Sequence, residues 1–172
     1  MAESPAAWLI DNRDLWPSGG RVLDVACGKG RHALLMAEAG LRVRAIDRSA
    51  DVIATLQNEA DRLGLQIDTA VVDLETDPPP NVGESLYDAV LVFNYLHRPL
   101  MPAIRAALKP GGRIFYETFT RRQAERGKPR NPAFLLKDGE LRDLMAPFKV
   151  LRSREGDLDG RFIASVVAER AE

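Results

Sequence analysis

With 172 residues, 45% of them apolar and 28% charged, the chain has the composition of one soluble globular domain and not that of a disordered or fibrous one. Its 24 Lys and Arg nearly cancel 25 Asp and Glu, and a formal charge of −1 removes the basic field expected of an obligate polyanion binder. A single cysteine, Cys27, excludes an internal disulfide framework and any zinc site built on several thiolates. The first ten residues lack a leader pattern and no apolar run approaches the roughly 18 to 20 residues of a membrane span, so a cytoplasmic protein is expected.

Apolar runs of strand length alternate with longer segments of helical period, the grammar of βαβ units around a parallel sheet. The first run, 21–26, leads into GRHALLMAEAG, where Ala33, Leu34, Met36 and Ala37 predict a helix stopped by Gly40. A strand over 42–47 precedes a helix over 50–63, with Val52, Ile53, Leu56, Ala60 and Leu63 on one stripe and Gly64 as its stop. Strands at 67–72 and 87–93 flank DPPPNVGES, whose three consecutive prolines remove donors and enforce a surface connection. LKPGGRIFYETF reads as a helix end, a Pro-Gly-Gly turn and a strand over 112–118.

Residues 119–137 oppose Arg121, Arg122, Arg126, Lys128, Arg130 and Lys137 with Glu125 alone. Such a stretch is either a solvated connection or, over 120–136, a lid on a substrate. KDGELRDLM then predicts a short helix, and strands at 148–154 and 161–168, joined through DLD, predict an antiparallel hairpin. One domain over 1–172 is expected.

The glycines of RVLDVACGKGRHALLM follow a strand and open a helix, so their amides approach a ligand and the helix end favours negative charge. Gly28, Gly30 and Ala33 fit a dinucleotide fingerprint, but Asp24 at the strand end would repel a pyrophosphate across a few ångströms of low-dielectric crevice. A ligand with a cationic end and no phosphate suits it better; S-adenosylmethionine has an α-ammonium, a sulfonium and a carboxylate. Asp24 would anchor the ammonium, directly or through water, or else cap the loop by binding amides. Asp47, nineteen residues past Gly28 at the next strand end, has the spacing of a ribose ligand, with Ser49 available to cap the helix instead. Asp73 ends the third strand, where an acceptor suits the adenine amino group.

These segments resemble the class I S-adenosylmethionine-dependent methyltransferases: VLDVACGKG their first motif, AIDRS their ribose motif, VVDLE their adenine motif, and YDAVLVFNYLHRPLMPAIRAALKPGGRIFYETF their fourth-strand to fifth-strand block. The resemblance implies an α/β, Rossmann-like fold whose seven-stranded, mostly parallel sheet has the order 3-2-1-4-5-7-6, with helices on both faces. It implies S-adenosylmethionine as methyl donor, held by Asp24, Ala26, Gly28, Gly30, Arg31, Asp47, Arg48, Asp73, Leu74 and Asn94, with no metal. A narrower likeness to the small tellurite-resistance-like enzymes runs through GKGRHALLMAEAGLRVRAID and FLLKDGELRDLM. Here REGDLDGRF lacks their histidine, so the likeness does not carry a tellurite substrate.

Methyl transfer is an in-line displacement that needs positioning before it needs a protein nucleophile. His97, with Tyr95 beside it, is the candidate base or substrate contact beyond the fourth strand; Arg98 and Glu117 are expected on the same rim. His32 reads as a helix-start residue or a contact to the methionine carboxylate, and Cys27 as packing. A small-molecule acceptor is the leading reading, since FNYLHRPL is not the Asn/Asp-Pro-Pro-aromatic pattern of base methylases. RNA methylation, an NAD(P)-dependent oxidoreductase using Arg48, and a non-catalytic S-adenosylmethionine-binding module are the alternatives.

Overall fold

A computed structural model describes residues 3–172. Seven strands form one sheet of order β3-β2-β1-β4-β5-β7-β6, in which β1 (Arg21–Val25), β2 (Arg42–Asp47), β3 (Ile67–Val71), β4 (Tyr87–Phe93) and β5 (Leu108–Phe119) run parallel. β6 (Lys149–Leu158) pairs antiparallel with β7 (Arg161–Glu169), which itself runs antiparallel to β5. This is the expected topology.

Period-two alternation gives each central strand two buried faces. In β4, Ala89, Leu91 and Phe93 face one core, with Leu9 of α1 (Ala7–Asp11), Met36 of α2 (Arg31–Glu38) and Leu56 of α3 (Ala50–Leu63). Val90 and Val92 face the other, with Ile104 of α4 (Met101–Ala107) and Met145 following α5 (Glu140–Leu144). No helix among the described residues is long and apolar enough to cross a membrane.

Three local details differ from the sequence reading. β5 starts at Leu108 and runs through Pro-Gly-Gly, because the Leu108–Tyr87 pair and the Arg113–Ala89 pair leave the intervening residues as an irregularity and Gly111 takes φ +76°. The hairpin turn is Asp159-Gly160, not DLD: both residues have positive φ (54° and 78°), the two-residue turn whose twist matches its strands. On α3, Leu63 is exposed while Ile53, Leu56 and Ala60 are buried, and on α2 Ala33 and Met36 are buried as expected, joined by His32, while Leu34 and Ala37 are only half-buried. A helix on one face of a sheet buries a narrower stripe than its apolar residues would cover.

Candidate active site

Parallel strands bring their carboxyl ends to one edge of the sheet, and the β1, β2, β4 and β5 ends there enclose a cavity of about 270 Å³. Ala26, Asp47 and Asn94, one from each of the first three strand ends, line it. Ala26 and Asn94 hold φ of +53° and +55°, a left-handed backbone that costs a non-glycine residue about 1 kcal/mol or more and is retained where geometry matters to function. Asn94 is fixed by its amide donating to the Glu117 carbonyl at 2.9 Å.

The glycine loop is tied to β2. The Gly28 amide donates to Asp47 Oδ2 at 3.0 Å and the Ser49 amide to Asp47 Oδ1 at 2.9 Å, while Ser49 Oγ caps α3 through the Val52 amide at 3.4 Å. Each carboxylate oxygen has two lone-pair sites, so Asp47 keeps acceptor capacity toward the cavity. Gly28 and Gly30 both have positive φ, for different reasons. A Cβ on Gly30 would sit 2.2 Å from Leu56 Cδ1, whereas one on Gly28 would meet no protein atom within 4 Å and would project into free space beside the loop.

Asp24 lies on β1 under the start of α2, 1% exposed, and its Oδ2 has no hydrogen-bond partner. Burial raises its carboxyl to about 7, against the opposing pull of the Ala33 amide and the Arg31 charge. An orphaned buried acceptor of this kind is expensive unless something donates to it. Together with the opening beside Gly28, it suits the cationic end of an amino-acid ligand.

The other candidates fall as follows. Arg48 and Leu74 line the cavity; Asp73 is exposed outside the lining and closes a turn by accepting the Glu75 amide at 3.0 Å. Arg31 donates to the Ser4 carbonyl at 2.9 Å. Tyr95 lines the cavity, with its Oη buried and unpartnered; burial first, then the Glu75 charge, pushes the phenol up, so it is not ionised near neutrality. His97 is half-buried outside the cavity lining, before the Arg98–Leu100 turn. His32 is buried, stacks on Phe93 at 4.2 Å and accepts the Ala6 amide at 3.0 Å; burial lowers it to about 3, so it is a neutral tie for the N-terminal segment.

Glu117 does not share the rim. Strand alternation turns it to the α1 face, where it accepts from Ser165 Oγ at 2.5 Å and pairs with Arg154 at 3.2 Å. Arg98 is likewise committed, clamping Glu140 at 2.5 and 2.9 Å and the carbonyls of Ala133 and Leu135 at 3.0 Å each. Burial raises the Cys27 thiol, with the charges of Asp24 and Asp47 adding to it, which makes the sulfur inert.

Sequence reading did not name Glu75, Leu96 or Thr118; Phe119, beside the basic stretch, and Pro129 and Phe134, within the 120–136 segment read as a lid or a solvated connection, were not singled out as site residues, yet all six line the cavity. Thr118 and Phe119 were findable, since they end β5 as Asp47 ends β2. Within the 120–136 segment no local signal singles out Pro129 and Phe134.

A family model described as a methyltransferase domain matches residues 22–112, from the start of β1 into β5. The chain belongs to this methyltransferase domain family. It is a member of the class I methyltransferase superfamily, and the oxidoreductase alternative loses its ground. Over 115 residues the methyltransferase domain is 35% identical to a ubiquinone biosynthesis O-methyltransferase of Xanthomonas axonopodis pv. citri, covering 64% of this chain and 47% of the relative. A protein of the same name from Idiomarina loihiensis is 36% identical over 120 residues, covering 66% and 48%. The chain thus spans about half the length of the curated relatives it matches. In fold it is similar to TehB from Haemophilus influenzae (TM-score 0.77, 21% identity, 95% of this chain and 61% of that one). It is also similar to an S-adenosylmethionine-dependent methyltransferase from Methanosarcina mazei (TM-score 0.78, 16% identity, 98% and 99%).

Proposed function

We propose that this methyltransferase domain transfers the methyl group of S-adenosylmethionine to a small-molecule acceptor. Asp24 carries the reading: a buried carboxylate with an unpartnered oxygen, under a glycine loop open to a ligand, fits an ammonium and disfavours a pyrophosphate. The donor supplies an electrophilic methyl carbon on positively charged sulfur. Asp24 draws the ammonium, Gly28 leaves the backbone accessible, and Asp47 accepts from the ribose hydroxyls with its free lone pairs. Arg48 and Leu74 flank the adenine, whose amino group meets the Asp73 edge, and Asn94 closes the methionine end. These groups hold the reactants in line and keep water out, which supplies much of the acceleration for a displacement of this kind.

The O-methyltransferase names of the curated relatives support an oxygen acceptor of small size. An RNA acceptor is less well supported: of the five cations at 121–130, Arg126 is paired with Asp157 at 2.7 Å, and Arg122 and Arg126 stack on Phe162 at 4.2 Å. Calorimetry with S-adenosylmethionine and S-adenosylhomocysteine tests the reading, with micromolar binding expected; absence of binding at millimolar ligand overturns it.

A further inference from the structure

The cavity has two halves with different chemistry. The half made by Asp47, Arg48, Leu74, Glu75 and Asn94 is polar and is the donor side of the reading above. The other half is made by Thr118 and Phe119 at the β5 end and by Pro129 and Phe134 from the segment that follows. No side chain of that second half titrates near neutrality. Tyr95, between the two halves, has a buried phenol held in its neutral form, and Glu75 lies on the donor side. The charges nearest to Pro129 along the chain are positive. Lys128 and Arg130 flank Pro129 in the chain, and with Arg121 they form no ion pair among the described residues, while Arg98 and Glu140 satisfy each other.

Phe134 is 46% exposed, yet it is not loose. Arg98 holds the carbonyls on both sides of it, and the Asn131 side chain caps its turn. The start of the segment is pinned as well, by Gln123 Oε1 accepting the Phe162 amide at 2.9 Å and by the Thr120–Leu136 bridge. An exposed ring whose backbone is held on both sides, lining a cavity with Phe119 and Pro129 and lying in a stretch of chain that carries unpaired cations, suits a flat apolar body carrying negative charge.

Resting on the methyltransferase reading, we propose that the acceptor is a small aromatic anion, a thiolate or acidic phenolate that arrives already deprotonated and is recognised by Phe119, Phe134, Lys128 and Arg130. The proton leaves to solvent before binding. The acceptor's lone pair then forms the bond to the methyl carbon as the carbon–sulfur bond breaks, its electron pair returning to sulfur. Anion and sulfonium become neutral methyl ether or thioether and neutral S-adenosylhomocysteine. A pocket without a base suits such an acceptor, because the nucleophile needs no proton removed in the transition state.

The test uses the whole chain with ring-substituted thiophenols and nitrophenols graded in acidity. Acceptor binding to the S-adenosylhomocysteine complex is measured by calorimetry, and methylation rate is measured against pH at S-adenosylmethionine concentrations that saturate across the whole range, so that donor binding imposes no break of its own. The expected result is a rate that rises to a plateau at a pH following each acceptor's own acidity. Lys128→Ala/Arg130→Ala should weaken acceptor binding roughly five- to tenfold, with S-adenosylhomocysteine affinity unchanged. Phe134→Ala should weaken it by about tenfold. One fixed break in pH for every acceptor, as a base such as His97 would impose, overturns the proposal. So does failure to bind or methylate any of the series by protein that binds S-adenosylhomocysteine. Failure to bind S-adenosylhomocysteine at all strikes instead at the methyltransferase reading beneath it.

Discussion

The two halves of the cleft are built by different means. The half proposed for the donor is made of strand ends and backbone: Ala26, Asp47 and Asn94 are placed by parallel register, and the glycine loop is held by main-chain amides on one carboxylate. The half proposed for the acceptor is made largely of side chains delivered by a segment with little regular structure, held down by Arg98, Gln123 and Arg126. A site built on the backbone tolerates little change in residue type near it. One built from pinned side chains leaves room for altered specificity on a fixed donor platform.

The largest expected effect comes from the glycines within the donor half. Gly30→Ala combines a positive φ with a 2.2 Å approach to Leu56 and should destabilise the fold by about 2–4 kcal/mol, read as a lowered denaturation midpoint. Gly28→Ala should cost only about 1 kcal/mol of stability while weakening S-adenosylhomocysteine binding at least tenfold, since its Cβ meets no protein atom beyond its chain neighbours and enters open space proposed to hold the ligand. Equal destabilisation by the two would erase the distinction between a packing glycine and a ligand glycine.

Asp24 comes next. Its folded pKa of about 7 lies above the ordinary 3.8, so between those values the folded state holds a proton that the unfolded state has lost. The group's contribution to stability therefore falls as pH rises from about 4 to 7 and is flat above, a penalty on the order of 4 kcal/mol. Asp24→Asn should remove that slope in urea titrations at pH 5 to 8. A cationic ligand binds the ionised form, so wild-type affinity for S-adenosylmethionine should tighten as pH rises through about 7 and then level off. In the variant, affinity should drop about a hundredfold at pH 8. A pH-independent wild-type affinity would remove Asp24 from the ammonium site.

A smaller effect belongs to the acceptor half. Arg98→Ala should release 131–140, costing about 1–2 kcal/mol because the pair is partly exposed, and should speed amide exchange there without changing S-adenosylhomocysteine affinity. Loss of both functions together would show the two halves to be one unit. The smallest effect is Asn94→Gly, which relieves a φ of +55° and should shift stability by less than about 1 kcal/mol in either direction.

Much of this molecule was legible in the order of its residues. Alternating strand and helix periods, acidic residues at three strand ends, and glycines between the first strand and helix lead directly to a parallel sheet with a ligand edge, because each is a local consequence of backbone geometry. Where residues were misread, the cause was alternation or long-range pairing. Glu117 follows Tyr116 on a strand and so leaves the rim, and Arg98 follows the fourth-strand motif but is spent on a segment some 35 residues away. Asp159-Gly160 was a readable turn that the neighbouring DLD obscured.

The sequence by itself determined the topology and the carboxyl edge of the sheet with its acidic strand ends, since periodicity and motif spacing act over a few residues at a time. Only the tertiary structure decided which side chains face that edge together. Phe134 and Pro129 enter the cavity through ion pairs and carbonyl clamps made across the fold, and no local pattern encodes a contact whose partners meet only after the chain has closed.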